Sequence, residues 1–308
     1  SNDTTTTVRA GSTLQLGSLG LKSDYAGSMG AVDFSGSDMA AANLDVVNGS
    51  YSVGAVTGSN GIVTVAAGSD FTAASMALET SEITNSGTMT VAGDMTLTGG
   101  SLTNNNRMTV AGDLDVSGVL TNNGGAFLET NNLNVTGQLS NYGEIEAMDT
   151  STVFGTLENQ GEIRLYDTEI GNRGEIHNTA TLTQTGTTEV NGLLSNVAGA
   201  TANFETVTLD GANAVLENTG TITIDKLVVS NGATAVNGIL TSTYSLLSTR
   251  APAARENVGE LEVQNGQSKT NAAEGYYGAA TIAGSFINTA TGNAVFGVSD
   301  QWADGTGA

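Results

Sequence analysis

The sequence contains no cysteine, a single proline and few aromatic or basic residues. The absence of cysteine excludes disulfides, thiolate catalysis and cysteine-ligated zinc or iron–sulfur centres. The 9 lysines and arginines stand against 31 aspartates and glutamates, which gives a formal net charge of −22 at pH 7. This balance excludes a nucleic-acid-binding protein that works through a basic surface. Aromatic residues make up 5% of the chain, which is low for the core of an ordinary enzyme.

Several other signals are missing from the sequence. No apolar run reaches the roughly 18 residues that a membrane-spanning helix needs, so we do not expect the chain to be embedded in a membrane. There is no glycine-rich nucleotide-binding loop, no Gly-x-Ser-x-Gly motif and no pair of histidines for a metal, since His177 is the only histidine. These absences exclude most nucleotide-dependent chemistry.

What the chain does have is a repeat. A leucine or isoleucine is followed two residues later by asparagine eight times, at spacings of 19, 18, 19, 18, 19, 18 and 22 residues. The asparagines are Asn85, Asn104, Asn122, Asn141, Asn159, Asn178, Asn196 and Asn218. A glycine and alternating apolar residues often follow, as in Gly161, Ile163 and Leu165. The period of 2 inside each repeat indicates strands and not helices.

These repeats predict an all-β fold, a single-stranded parallel β-helix with rungs of about 18–22 residues. One repeat cannot bury its own apolar face. Stacked repeats can, because equivalent strands pair in parallel about 4.8 Å apart and their leucines, isoleucines and valines form inward columns. An asparagine at a fixed inward bend can donate to and accept from the asparagines above and below it, which satisfies a polar group that is costly to bury. The sequence therefore predicts a structural asparagine ladder.

The repeat also divides the chain into regions. Residues 1–80 alternate in places without the fixed period, and we interpret them as irregular N-terminal rungs or a cap. Residues 81–244 form the regular β-helix, residues 245–278 a protruding excursion that contains Pro252, and residues 279–308 the C-terminal rungs and tail. We expect one continuous elongated domain, and we expect the excursion to provide a specific contact.

The repeated units carry a resemblance to known proteins. The unit formed by Leu157, Asn159, Gly161, Ile163 and Leu165 resembles the passenger regions of bacterial autotransporters and the similar haemagglutinin-type secreted adhesins. In those families the passenger is exported and displayed or released at the cell surface. The resemblance therefore implies an extracellular or bacterial cell-surface location and a right-handed coil.

The residues between each leucine or isoleucine and its asparagine are predicted to form an outward column. Glu158, His177 and Ser195 lie on successive rungs of this column. An acid, a base and a nucleophile in this order could form a hydrolytic triad if Ser195 Oγ lies within hydrogen-bond reach of His177. The alternative is a polar surface column. The sequence favours this alternative, because parallel stacking aims the side chains outward side by side and no oxyanion hole is recognisable.

A second pattern places carboxylates at matching offsets. Glu144 and Glu162 are 18 residues apart, and so are Asp149 and Asp167. Carboxylates about 4.8 Å apart repel unless they are protonated, paired or metal-bound. They could form a Ca²⁺ site or the paired acids of a glycoside hydrolase or lyase. The favoured alternative is a solvated acidic face relieved by Arg164 and Arg173, because a Ca²⁺ site usually needs more converging oxygens. No other cofactor is expected.

Together these expectations favour a secreted or cell-surface passenger that acts as an adhesin or structural stalk for cell–cell, host or glycan contact, without enzymatic activity. Its expected partners are host or bacterial surface molecules, including glycans, or further copies of the chain, and no nucleic acid. Regularly spaced hydrogen-bonding groups suit weak multivalent binding. The alternative is a β-helical carbohydrate-active enzyme or a phage tail component, either of which would need the carboxylate columns to face a groove.

Overall fold

The structure is a computed structural model. It describes the backbone of residues 13–15, 18–22, 27–28, 31–33, 42–47, 49–230, 233–237, 255–263, 268–271, 279–282, 286–288 and 293–296, and the side chains of residues 44–47, 49–224, 226–229, 233 and 235. These residues form strands joined by turns and bends. None of the described part is a helix long and apolar enough to cross a membrane.

The chain divides into two compact units, residues 1–149 and residues 150–308. The described strands of the first unit are Thr13–Gln15, Ser18–Lys22, Gly27–Ser28, Ala31–Asp33, Ala42–Val47, Ser50–Ser59, Gly61–Val65, Asp70–Glu79, Glu82–Asn85, Thr88–Val91, Met95–Thr98, Ser101–Asn104, Arg107–Val116, Val119–Asn122, Phe127–Val135, Gln138–Asn141 and Glu144–Ala147.

The second unit continues the same alternation of short and long strands. Its described strands are Ser151–Val153, Thr156–Asn159, Glu162–Leu165, Thr168–Ile170, Glu175–Asn178, Thr181–Val190, Leu193–Asn196, Thr201–Asp210, Val215–Asn218, Thr221–Ser230, Thr234–Asn237, Arg255–Val263, Ser268–Asn271, Ala279–Ile282, Phe286–Asn288 and Asn293–Phe296.

Each rung consists of one short strand and the longer strand, or pair of half-strands, that follows it. Short strands pair in parallel with the short strands of neighbouring rungs, as 101–104 does with 82–85 and 119–122. Long strands pair with long strands, as 107–116 does with 127–135. Pairing partners are therefore one rung apart. The predicted all-β parallel β-helix, with rungs of about 19 residues, is confirmed.

In the strands whose side chains the structure describes, the core is built from alternate residues, because successive side chains of a strand point to opposite faces. In one rung of the first unit six inward side chains are at most 1% exposed, namely Leu102, Asn104, Met108, Val110, Leu114 and Val116. The alternation restarts where the long strand bends, between Val110 and Asp113, where the register with the next strand shifts. Stacking of such rungs buries apolar side chains in columns, at about 1.5–3 kcal/mol for each large one.

The stacked rungs begin earlier than the asparagine signature. Strand 42–47 pairs in parallel with 61–65, and 61–65 pairs with 82–85. In this register Val46 and Val65 occupy the position that Asn85 takes in the next rung. The sequence pattern of these first rungs is irregular because valine replaces asparagine, although the backbone follows the same course.

The predicted excursion at 245–278 contains two described strands. Strand 255–263 pairs in parallel with 221–230, and 268–271 pairs with 234–237. The remaining residues of the segment, including Pro252, lie outside the described residues, as does the tail after residue 296. The region boundaries, the single continuous domain and the hand of the coil stay predictions.

Candidate functional site

The predicted asparagine ladder is present in the first unit. Asn85 Nδ2 donates to Asn104 Oδ1, Asn104 Nδ2 to Asn122 Oδ1, and Asn122 Nδ2 to Asn141 Oδ1, each at 2.8 Å. All four side chains are fully buried. The ladder forms because the Leu-x-Asn strands stack without any shift in register, so one asparagine lies directly above the next.

The second unit contains the same arrangement. Asn159 donates to Asn178 at 2.8 Å, Asn178 to Asn196 at 2.7 Å, and Asn196 to Asn218 at 2.7 Å. The amide nitrogens also donate to backbone oxygens one rung further on, as Asn178 Nδ2 does to Thr201 O at 3.0 Å. The ladder therefore satisfies buried amides within the protein, which makes it a structural element and not a surface for ligands.

The outward column with the candidate triad is also in register. Glu158 lies beside His177 in the pairing of strands 156–159 and 175–178, and His177 lies beside Ser195 in the next pairing. His177 Nε2 lies 3.1 Å from Oε2 of Glu175, which precedes it by two residues on the same strand. A hydrolytic triad would need the imidazole to reach Ser195 Oγ instead. The catalytic role of these residues stays a prediction.

The predicted carboxylate pairs have one member in each unit, so each residue is described in its own surroundings. In the first unit, the backbone N–H of Asp149 donates to Asn131 O at 2.9 Å and that of Glu144 to Ala126 O at 2.9 Å. The first bond holds the bend that contains Asp149. The second holds the start of strand 144–147, which begins with Glu144.

In the second unit, Glu162 forms an ion pair with Arg164 two residues later, and Asp167 Oδ1 accepts from the Thr187 N–H at 2.7 Å. The ion pair agrees with the favoured interpretation of an acidic face relieved by arginine. Among the described residues no group of three or more His, Asp or Glu side chains is arranged to hold a metal ion. The Ca²⁺ site and the paired catalytic acids stay predictions.

The structure also shows a groove that the sequence pattern does not indicate. It lies in the second unit at the turns that lead from each long strand to the next short strand. These turns contain two residues at 154–155, four at 171–174, two at 191–192 and four at 211–214. Because neighbouring rungs are held in register, the two longer turns lie one rung before and one rung after the short turn 191–192, and a notch lies among these turns.

This notch, called the turn groove below, has a volume of about 360 Å³. It is lined by Phe154, Glu169, Gly171, Asn172, Asn191, Asp210, Gly211, Ala212 and Asn213. The turn groove is a shallow depression that is open to solvent, and not an enclosed cavity. Its lining combines one aromatic ring with three amides and two carboxylates.

The aromatic ring of the turn groove is held by a glycine on the next rung. Phe154 follows Val153, which pairs with Ile170, so Phe154 and Gly171 lie at equivalent positions of neighbouring rungs. A Cβ at Gly171 would overlap Cδ1 and Cε1 of the phenyl ring. One edge of the ring therefore packs against Gly171, while 46% of Phe154 stays exposed. A partly exposed apolar ring thus lines one end of the groove.

The polar lining bridges the two longer turns. Asn213 Nδ2 donates to Asn172 Oδ1 at 2.6 Å, across two rungs and 41 residues of sequence. The turns themselves are closed by backbone bonds, from Gly174 N to Gly171 O at 2.8 Å and from Ala214 N to Gly211 O at 3.0 Å. Glu169 lies on the adjoining strand in register with Glu189. The groups around the groove are therefore held by backbone structure and can both donate and accept hydrogen bonds.

A second depression, of about 310 Å³, lies at the bend of the long strands of the same unit. It is lined by Gln184, Thr185, Asn203, Phe204, Glu205 and Thr223. Phe204 is buried there and offers no exposed ring, and the carboxylate of Glu205 accepts from the Gly186 N–H at 2.8 Å. The turn groove therefore offers a ligand an exposed aromatic ring and two carboxylates, whereas the second depression offers no exposed ring and one carboxylate.

A comparison with known proteins finds no matching family model, no similar curated protein and no similar solved structure.

Proposed function

We propose that the chain is a β-helical passenger, secreted or displayed at a bacterial cell surface, that acts as an adhesin or structural stalk in contact with other cells or their surface molecules. The resemblance of its Leu-x-Asn units to autotransporter passengers supports the location. The fold supports the mechanical part of the role, since a β-helix is held by ladders of backbone hydrogen bonds between neighbouring rungs.

The observation that carries this proposal is the stacking of outward polar side chains into hydrogen-bonded rows. In the first unit Asn123 Nδ2 donates to Asn105 Oδ1 at 2.6 Å, and Asn105 Nδ2 donates to Ser86 Oγ at 3.3 Å. Another row begins where Asn134 Nδ2 donates to Asp115 Oδ1 at 2.7 Å. Such rows repeat amide and carboxylate groups about every 4.8 Å, and a repeated array gives many weak contacts a high combined affinity.

An adhesion assay with the full chain tests the proposal. Beads coated with the chain should adhere to bacterial or epithelial cells more than beads coated with a soluble acidic protein of similar size, and soluble chain should compete with them. Adhesion no greater than that of the control beads would contradict the proposed adhesive role.

A carbohydrate-active enzyme is the second candidate, because the turn groove contains the carboxylates of Glu169 and Asp210. Hydrolysis by paired carboxylic acids requires one of them to donate a proton and the other to act as base or nucleophile. Product analysis after incubation with oligosaccharides separates the two roles. Release of shorter products by the parent chain, and its loss in Glu169→Gln, would favour the enzyme.

A further inference from the structure

The geometry points to the turn groove as a binding site for an uncharged hexopyranose residue of a glycan. This inference deepens the proposed function and rests on it, because it names the class of surface molecule that the chain would contact. The site is formed by Phe154 and by the polar groups of Glu169, Asn172, Asn191, Asp210 and Asn213.

The exposed ring of Phe154 matches the apolar side of a pyranose. One face of such a ring presents mainly C–H groups, and an aromatic face is the partner that C–H groups favour, through apolar contact and the negative charge of the π face. The ring is not an isolated surface residue, because Gly171 leaves space for one edge of it to pack against the next rung. This contact restricts the ring before a ligand arrives, which reduces the entropy lost on binding.

The amides and carboxylates match the hydroxyl groups of the same ligand. A sugar hydroxyl is both a donor and an acceptor, and neighbouring hydroxyls bind best to groups that offer both functions. The carboxylates of Glu169 and Asp210 accept, while asparagine amides both donate and accept. The bond between Asn213 and Asn172 uses only part of the hydrogen-bonding capacity of these two amides and holds them at a fixed separation.

The negative charge of the groove disfavours anionic ligands. Glu169 and Asp210 both line the groove, whereas Arg173, which lies in the turn 171–174, does not. A uronic or sialic acid would bring a third carboxylate into a site that already contains two, and this is unfavourable without a cation. The chain as a whole carries a formal charge of −22, which also opposes the approach of anionic glycans. An uncharged hexose avoids both costs.

The test measures binding of the full chain to an array of neutral and acidic oligosaccharides, with EDTA present, followed by calorimetric titration with the best neutral oligosaccharide. We expect binding to neutral probes. Phe154→Ala should weaken it about tenfold or more, the scale of a lost aromatic contact, and Asp210→Asn should weaken it without changing the shape of the groove. Asp210→Asn should keep the parent's thermal unfolding midpoint, because Asp210 is exposed, whereas Phe154→Ala loses the contact with Gly171 and should lower the midpoint only slightly, so that both variants are folded in the titration.

Tyr166→Ala is the matched control. Tyr166 lies in the same unit and is 44% exposed, but it does not line the groove. Its replacement should leave the affinity unchanged. Equal losses in the Phe154 and Tyr166 variants, binding to acidic probes only, binding that requires Ca²⁺, or no binding to any neutral probe would each overturn the inference.

The adhesion assay distinguishes this failure from failure of the proposed function. If parent beads adhere to cells and Phe154→Ala beads adhere equally well, the turn groove is not the contact site and the adhesive role stands. If parent beads do not adhere, the adhesive role itself is removed.

Discussion

At the scale of single residues, the ladder asparagines show how a polar side chain can be buried at little cost. Asn104 Oδ1 accepts from Asn85, while Asn104 Nδ2 donates to Asn122 Oδ1 at 2.8 Å and to Phe127 O at 3.0 Å. Each amide therefore uses its donors and its acceptor within the protein, which removes most of the desolvation penalty. The exception is Asn85 Oδ1, at the start of the ladder, which has no hydrogen-bond partner among the described residues.

Replacing one asparagine inside the ladder should be strongly destabilising. Asn178→Ala removes the acceptor of Asn159 Nδ2 and the donor to Asn196 Oδ1 and Thr201 O. Each buried polar group left unpaired costs about 1–3 kcal/mol, so we expect a loss of about 3 kcal/mol or more in the free energy of unfolding, measured with urea.

Asn203→Ala provides the control, because Asn203 points outward from a strand of the same unit and is only half-buried. Its replacement should change stability by about 0.5 kcal/mol or less. Equal losses in the free energy of unfolding would mean that the ladder hydrogen bonds stabilise the protein no more than the contacts of an outward asparagine do.

A buried hydroxyl without a partner should behave in the opposite way. Thr188 is 1% exposed, and its Oγ1 has no hydrogen-bond partner among the described residues. Thr188→Val keeps the shape of the side chain and removes the unsatisfied group, so the protein should gain about 1 kcal/mol of stability in urea unfolding.

The neighbouring threonine is the matched comparison. Thr168 is paired in register with Thr188, but its hydroxyl donates to Tyr166 O at 2.8 Å. Thr168→Val should therefore lose about 1 kcal/mol. A Thr188→Val protein that is less stable than the parent would show that its hydroxyl is satisfied in solution.

At the scale of strands and turns, the sequence predicts the regular rungs well because two signals agree. Alternation of apolar residues defines the strands, and an asparagine in every repeat fixes their register. The first rungs are less visible, since Val46 and Val65 fill the ladder position. A valine at this position still points inward and is apolar, so the strand is kept. The asparagine that identifies the repeat in the sequence is missing.

The turn groove could not be predicted from the repeat, because it depends on differences between turns and not on what they share. Its notch arises from the lengths of three successive turns, and its aromatic surface from the position of Phe154 against Gly171 on the next rung. The outward position of Glu158, His177 and Ser195 followed from the repeat, whereas the contact of His177 with Glu175 depends on side-chain rotamers.

Some turns can bring two rungs together only through glycine. A Cβ at Gly137 would overlap the backbone oxygens of Gly118 and Ser117 on the rung before it. Gly137→Ala must therefore push neighbouring rungs apart, and we expect it to lower stability by about 2–3 kcal/mol, seen as a lower thermal unfolding midpoint.

Gly124→Ala in the same unit tests whether the effect is specific. The nearest atom to its Cβ would be Tyr142 O at 3.8 Å, an ordinary contact. This variant should be as stable as the parent or slightly more so, because alanine reduces the freedom of the unfolded chain. Equal destabilisation by both alanines would mean that the close approach at Gly137 is relieved easily.

At the scale of the whole molecule, charge controls how copies meet. The formal charge of −22 at pH 7 makes copies repel one another, and this repulsion keeps an acidic protein dispersed. We expect the polar rows on the surface to allow association once the repulsion is reduced. Contacts between copies therefore depend on pH and salt in a way that contacts with an uncharged ligand do not.

We accordingly expect single copies at pH 7.5 in low salt and growing assemblies as the pH falls toward the sequence isoelectric point of about 4.1. Protonation of carboxylates removes negative charge, and salt at about 1 M screens what is left. Dynamic light scattering across this pH range, with and without salt, measures the effect. A hydrodynamic radius that is the same at pH 4 and pH 7.5 would contradict it.

The ladder also determines which changes in chain length the protein can tolerate. Asn196 and Asn218 are 22 residues apart and still bond at 2.7 Å, because the turns 197–200 and 211–214 are each two residues longer than 179–180 and 191–192 and together take up the extra residues. An insertion inside a Leu-x-Asn strand would instead turn the asparagine outward and leave its neighbours without a partner. Insertions and deletions should therefore accumulate in the turns or come as whole rungs, so new surface features can be added while the core stays unchanged.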